Sequence, residues 1–259
     1  MRLFTFTNIR VGLLFLALLF AAFYTLHQYR FTRSWNKPLD VVIFPINGDG
    51  QAATQSYIDK LSASDFSIIE QWAAREAKRY QLFVSKPVQV TLGPTVDTLP
   101  PVLPDQQNPW QTIGWGLKLR WWAFRHTPDD KSNLERVRMF VIYQQGEEGK
   151  PLRHSLGLQK GLLGVVYAFA KKRQTAQNNI VISHELLHTV GATDKYDHAG
   201  FPVFPAGFAD PGHKPLYPQR LAEIMAGHVP LAPQRSEMAR SLNQVVINEF
   251  TAREINWLD

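Results

Sequence analysis

Between Arg10 and Arg30 the chain runs for nineteen residues without a Lys, Arg, Asp or Glu, and the heart of that run, Val11 to Leu26 (VGLLFLALLFAAFYTL), is almost wholly apolar. Such a stretch has few outcomes. As a helix rising about 1.5 Å per residue it reaches roughly 28 Å, near the hydrocarbon thickness of about 30 Å. A cleaved signal peptide would have a shorter apolar region and an A-x-A-like site, which Ala17, Ala21 and Ala22 do not make. The expectation is an N-terminal tail and uncleaved single-pass anchor over residues 1–33, followed by one domain over residues 34–259. Arg2 and Arg10 precede the run and Arg30, Arg33 and Lys37 follow it, so charge alone does not orient it. A short N-terminal tail ordinarily stays cytoplasmic, which puts the domain on the extracytoplasmic side.

The formal charge of +6 points to no nucleic-acid partner. Arg2, Arg10, Arg30 and Arg33 lie in an acid-free N-terminal stretch, the rest of the chain is nearly neutral, and no basic run is interleaved with aromatics as a nucleic-acid footprint requires. The absence of cysteine excludes disulfides, thiolate metal clusters and a cysteine nucleophile, so any metal must be held by histidine and carboxylate.

Beyond Pro38 short apolar runs alternate with amphipathic segments. Leu39–Ile46 reads as a buried strand closed by the turn signal Asn47-Gly48-Asp49-Gly50, with a helix expected after it. Ser64–Tyr80 has helical spacing, Val88–Leu92 is a short strand, and Val137–Gln144 and Leu162–Ala170 are strands separated by a Gly/Glu/Lys-rich loop. A proline-rich stretch, Leu99–Pro109, leads into a helix over Trp110–His126, whose Trp110, Trp115, Trp121 and Trp122 are expected to pack on the core or lie at a membrane surface. A motif helix is expected over Asn178–Val190, then a long Pro/Gly/His-rich segment, then a final helix over Ser236–Leu258.

Residues 184–188 read His-Glu-Leu-Leu-His. Residues four apart share a helix face, so both imidazoles reach one ion while Glu185 stands beside its open side. The five-residue pattern arises by chance in on the order of one chain per hundred of this length. An ordinary amphipathic helix with two satisfied histidines is the plainer alternative, and Ile180, Ile182, Leu186, Leu187 and Val190 supply its buried face. The continuation favours chemistry: residues 184–194 read HELLHTVGATD, where Gly191 takes the positive φ that ends a helix and lets Asp194 turn back to the metal.

The pattern H-E-x-x-H-x-x-G-x-x-D resembles the metzincin clan of zinc peptidases, in its branch with Asp as third ligand. The resemblance implies an α+β zincin-like domain with a mixed twisted sheet, an active-site helix and a C-terminal helix. It also implies one zinc ion held by His184, His188 and Asp194, Glu185 as catalytic base, and a methionine turn at Glu223-Ile224-Met225-Ala226-Gly227, with Met225 beneath the metal. The strand before the motif helix, Leu162–Ala170, would be an edge that pairs with extended peptide substrate. Asp194-Lys195-Tyr196-Asp197 is also similar to the Asp-x-Tyr-Asp segment of immune-inhibitor-type secreted metallopeptidases. Glu223 is kept as an alternative third ligand, because the thermolysin-like branch of zinc peptidases supplies a glutamate from downstream, with Asp197, His198 and His228 as weaker ones. Tyr196 is a candidate hydrogen-bond donor to a tetrahedral oxyanion. Together these imply a membrane-anchored zinc endopeptidase acting on peptide or protein; a catalytically silent zinc-fold scaffold and a membrane-associated interaction module are the alternatives.

Overall fold

The computed structural model describes residues 6–104, 108–127, 135–146, 153, 155–159 and 161–258. Helix α1 spans Phe6–Ser34 and is long and apolar enough to cross a membrane. Most of its surface is exposed; Gln28 and Thr32, on its last turns, are buried. The N-terminal tail expected before it lies outside the described residues, as does most of the Gly/Glu/Lys-rich loop.

The apolar runs become strands because side chains alternate across two buried faces. Strand β1 (Leu39–Asn47) is followed by α2 (Ala52–Ile58), α3 (Ser67–Arg79) and β2 (Val88–Leu92). Next come α4 (Pro109–His126), β3 (Val137–Gln144), β4 (Leu156–Leu158), β5 (Leu163–Phe169) and α5 (Thr175–Thr189). The five strands form one mixed sheet in the order β2-β1-β3-β5-β4, parallel except for β4. Val41, Ile43, Met139 and Val141 project into the core shared with α3 and α5. Val42, Phe44, Phe140 and Ile142 project oppositely, against Trp115, Leu119 and Trp122 of α4. A sheet covered on both faces needs near-continuous apolar strands, and β1 and β3 are such strands. The protein is thus α+β, with an N-terminal apolar helix and a mixed sheet.

Two expectations are corrected. Leu162–Ala170 is not an edge: β5 lies between β3 and β4, with Met139↔Gly164 on one side and Gly157↔Gly164 on the other. The edge is β4, a strand of three residues that is too short to announce itself in the sequence. The final helix over Ser236–Leu258 is also absent. Its first part is β8 (Arg235–Met238), which forms a hairpin with β7 (His228–Ala232) through a turn with Gln234 at φ +57°. Its middle pairs as β9 (Val245–Val246) with β6 (Ala222–Glu223), and only α6 (Glu249–Glu254) is helical. Asn248 starts α6 by accepting the Thr251 N–H at 3.0 Å, while its amide donates to Ala206 and Phe208 carbonyls. A residue that caps there cannot continue a helix from upstream. The β-branched run Val245-Val246-Ile247 before it favours extended backbone.

Candidate metal centre and active site

Helix α5 carries the motif, and its placement begins at its first turns. Asn178 Oδ1 accepts the Phe169 N–H at 3.1 Å and its Nδ2 donates to the Phe169 carbonyl at 2.9 Å, so one amide side chain fixes the helix to the end of β5. Ile180, Ile182, Leu186 and Leu187 bury the inner face. Near the other end β4 crosses so closely that a Cβ on Gly157 would meet the Glu185 carbonyl oxygen and His188 Cβ. Glycine is required there by the approach of backbone to helix.

The helix stops as the sequence predicts. Gly191 has φ +107°, its N–H donates to the His188 carbonyl at 3.1 Å, and the Ala192 N–H reaches back to Leu187 at 3.0 Å. This pair of bonds is a Schellman ending, and it reverses the chain toward the motif. His184 Nε2 then lies 3.0 Å from Asp194 Oδ1, His188 Nε2 lies 3.1 Å from the same oxygen, and the two imidazole nitrogens are 3.1 Å apart.

The other ring nitrogens decide what these three atoms can do. His184 Nδ1 is 3.0 Å from the Ile224 carbonyl and His188 Nδ1 is 2.8 Å from the Ala192 carbonyl. A carbonyl only accepts, so each Nδ1 carries the proton, and in the neutral rings both Nε2 atoms turn lone pairs toward the carboxylate. Two lone pairs and a carboxylate oxygen facing one another are satisfied by a proton on an imidazole or by a metal cation between them. The donor set of two imidazoles and one carboxylate therefore fits a metal ion, and among the described residues this is the one group of three His, Cys, Asp or Glu side chains placed to hold one.

In the metal-free cluster a proton on His184 takes the cation's place. Burial would raise Asp194, but hydrogen bonds and charge from His184 and His188 outweigh it and hold the carboxyl far below its ordinary value. His184 is pushed down by burial and up, more strongly, by Asp194 and Glu185. Burial raises Glu185 above its ordinary value, with His184 and His188 opposing, and its Oε2 is buried with no hydrogen-bond partner. A buried carboxylate oxygen left unpaired is costly to the fold.

The alternative third ligands are placed elsewhere. Glu223 is fully buried; its Oε1 accepts from Thr251 and its Oε2 from the Met225 N–H, both at 2.6 Å. Asp197 accepts the N–H groups of Ala199 and Phe201 and shapes a turn. His228 is bonded to the Ala226 carbonyl, and His198 does not belong to the metal-ligating group. Met225 is fully buried in a turn in which Gly227 donates to Glu223 and adopts φ +69°. That turn is tied to the motif through Ile224 and to the Asp194 loop by the Lys195 N–H, 3.0 Å from the Met225 carbonyl. Tyr196 stands at the mouth with its ring 6.3 Å from that of His184; burial and the Asp194 charge push its phenol up to about 12.

Sequence reasoning missed the residues that hold Asp194. Glu254, on α6, accepts the Thr193 N–H at 2.9 Å, the Thr193 hydroxyl at 2.7 Å and the Lys195 ammonium at 2.7 Å, clamping the chain on both sides of residue 194. Nothing local marks this, because Glu254 is 60 residues away; the one signal is a lysine, Lys195, that the loop buries. Gly157 was missed for a similar reason.

A cleft of about 460 Å³ opens beside His184 and Glu185. Tyr167, Phe169, Ile180, Val181 and Met238 make its walls largely apolar, and Arg153 also lines it. A larger groove of about 1040 Å³ lies near Arg75, Arg79 and Arg220. It contains none of the motif residues, and Arg75 and Arg79 are paired with buried Glu76. No protein-family model and no curated protein matches the chain.

Proposed function

We propose that this chain is a membrane-tethered zinc endopeptidase with a metzincin-like domain, facing the extracytoplasmic side. The observation that carries the reading is the convergence of His184 Nε2, His188 Nε2 and Asp194 Oδ1 within 3.0–3.1 Å of one another, beside a buried and unpaired Glu185 oxygen. His184, His188 and Asp194 would hold the ion. Zinc in such a site supplies Lewis acidity toward a carbonyl and lowers the pKa of water to about 7.

Glu185, raised by its burial, accepts the proton of the water that attacks the peptide carbonyl carbon. It then delivers that proton to the amide nitrogen as the C–N bond breaks, leaving a free carboxylate and amine. Tyr196, protonated throughout the physiological range and hydrogen-bonded to Asp194, would turn to donate to the oxyanion. An extended peptide would add to the sheet along β4, the edge beside α5, and set one apolar side chain into the adjoining cleft.

Elemental mass spectrometry of the purified full chain in detergent tests the site. About one zinc per chain is expected, lost in His188→Ala and reduced in Asp194→Ala, together with cleavage of an unfolded test protein that a chelator abolishes and zinc restores. Folded wild type without metal would sink the reading and leave an interaction module. Stoichiometric zinc without cleavage would leave a silent scaffold.

A further inference from the structure

Helix α4 has two apolar faces, and the fold uses one. Trp115, Leu119, Trp122 and Ala123 are buried against the sheet. On the other side Trp110, Ile113, Leu117, Trp121 and Phe124 form a stripe along the whole helix, with Trp110 81%, Leu117 64% and Trp121 64% exposed. At about 100° per residue these five positions fall within roughly 80° of arc. Lys118 and Arg125 border the stripe on one side, on the other Arg120 is half-buried and donates to the Gly116 carbonyl at 2.7 Å, and no acid occurs from Asn108 to Thr127. Leu99, Val102 and Leu103 add exposed apolar surface in the loop that Trp115 Nε1 holds through the Pro101 carbonyl.

Helix α4 adjoins the last turns of α1. Gly161 joins it to the end of the apolar helix α1: the Gly161 N–H donates to Gln28 Oε1 at 3.3 Å, and a Cβ at Gly161 would lie 3.4 Å from Arg120 Nε. Helix α1 is further docked by Trp35 Nε1 on the Ile255 carbonyl at 2.7 Å and by Asn256 Nδ2 on the Arg33 carbonyl at 2.9 Å. If α1 spans a bilayer, α4 stands where α1 leaves it. Exposed tryptophans, an apolar stripe and flanking cations are the chemistry of a helix lying in the headgroup layer, with its ammonium and guanidinium groups reaching anionic lipids.

We propose that α4 is an interfacial helix that seats the domain on the membrane carrying α1, burying the Trp110–Phe124 stripe among lipid headgroups and upper acyl chains. The inference rests on α1 as a span and is independent of peptidase activity. Its consequence is that the domain is held at the bilayer surface by two helices.

The chain has no cysteine, so a single spin label can be placed at will. Full-length Leu117→Cys, in nanodiscs of phosphatidylcholine and phosphatidylglycerol, is compared with Arg235→Cys at the exposed β7-β8 turn. The label at 117 should be accessible to oxygen and protected about tenfold from a polar nickel chelate relative to the label at 235. Equal chelate accessibility at the two positions overturns the proposal. Protection from both reagents, or dipolar broadening between labels, also overturns it by assigning the face to another protein chain. As a check free of labels, brominated acyl chains should quench tryptophan emission in the wild type more than in Trp110→Phe/Trp121→Phe, and equal quenching counts against lipid contact. A chain that does not enter the discs fails the anchor reading, and the proposal falls with it.

Discussion

The Thr251 hydroxyl donates to Glu223 Oε1 at 2.6 Å, turning toward α6 a carboxyl that the sequence left open as a metal ligand. With Oε2 occupied by the Met225 N–H, Glu223 braces the turn beneath the motif and has no part in the metal-ligating group. Glu223→Ala leaves two buried donors without acceptors and should destabilise the fold by about 3 kcal/mol or more. Metal content of the surviving folded fraction should stay unchanged. Thermal unfolding together with elemental analysis checks both, and loss of metal from well-folded variant would return Glu223 to the ligand set.

The same carboxyl gives the fold a pH dependence. Burial pushes Glu223 up to about 7 against Thr251, Lys195, the Met225 N–H and His184, of which Lys195 and His184 are the charged groups facing it. The folded value lies above the unfolded value of about 4.3, so folding favours the protonated form. The stability it contributes is complete below about pH 4.3 and is lost as pH rises through about 7. In urea titrations across this range Glu223→Gln should show a flatter decline than wild type; parallel profiles would contradict the assignment.

Glu185→Gln keeps the shape of the side chain and removes its capacity to take a proton. Its Oε2 has no partner in the fold, and an amide oxygen can still accept the backbone hydrogen bond from Gly157, so the substitution should leave the unfolding midpoint unchanged or raised. Metal content should be retained while peptide hydrolysis falls by about 10²–10⁴-fold. Turnover near that of wild type in a metal-loaded variant would exclude Glu185 as the base.

Gly157→Ala tests the contact between β4 and the motif helix. The new methyl would overlap the Glu185 carbonyl oxygen and His188 Cβ, neither of which is a flexible chain end. We expect a loss of about 1–3 kcal/mol and weaker metal retention, because His188 must move with the helix. Wild-type stability and zinc affinity together would show that the strand and helix have more freedom than this contact permits.

The parts legible in the sequence are those governed by local rules. Apolar runs and turn residues placed β1, β2 and β3, and helical spacing placed α3 and α5, because buried faces and turns leave local marks. The spacing from His184 to Asp194 announced that His184, His188 and Asp194 come together, since a helix turn and a glycine ending have fixed reach. Illegible parts depend on partners far along the chain. β4 is three residues long and carries no period; β8, β9 and α6 divide a segment with helical spacing because each has a separate partner. Trp110–His126 shows the limit differently: the sequence supplied the aromatics, but only the packed helix separates buried Trp115 and Trp122 from exposed Trp110 and Trp121.

Glu254 makes the separation between holding a ligand and being one measurable. Its two oxygens receive Thr193 and Lys195 from both sides of Asp194, and those hydrogen bonds outweigh burial to keep it ionised below its ordinary range. Removing them frees the loop that returns Asp194 to the histidines and leaves the Lys195 ammonium buried without its carboxylate. Glu254→Ala should therefore weaken zinc binding by about 10–100-fold, the usual cost of losing an outer support, while His184 and His188 still bind. Glu254→Gln, which keeps an acceptor for Thr193 but not the charge for Lys195, should fall between it and wild type. Chelator competition gives the affinities, and a full-strength site in Glu254→Ala would mean that the Gly191 ending alone positions Asp194.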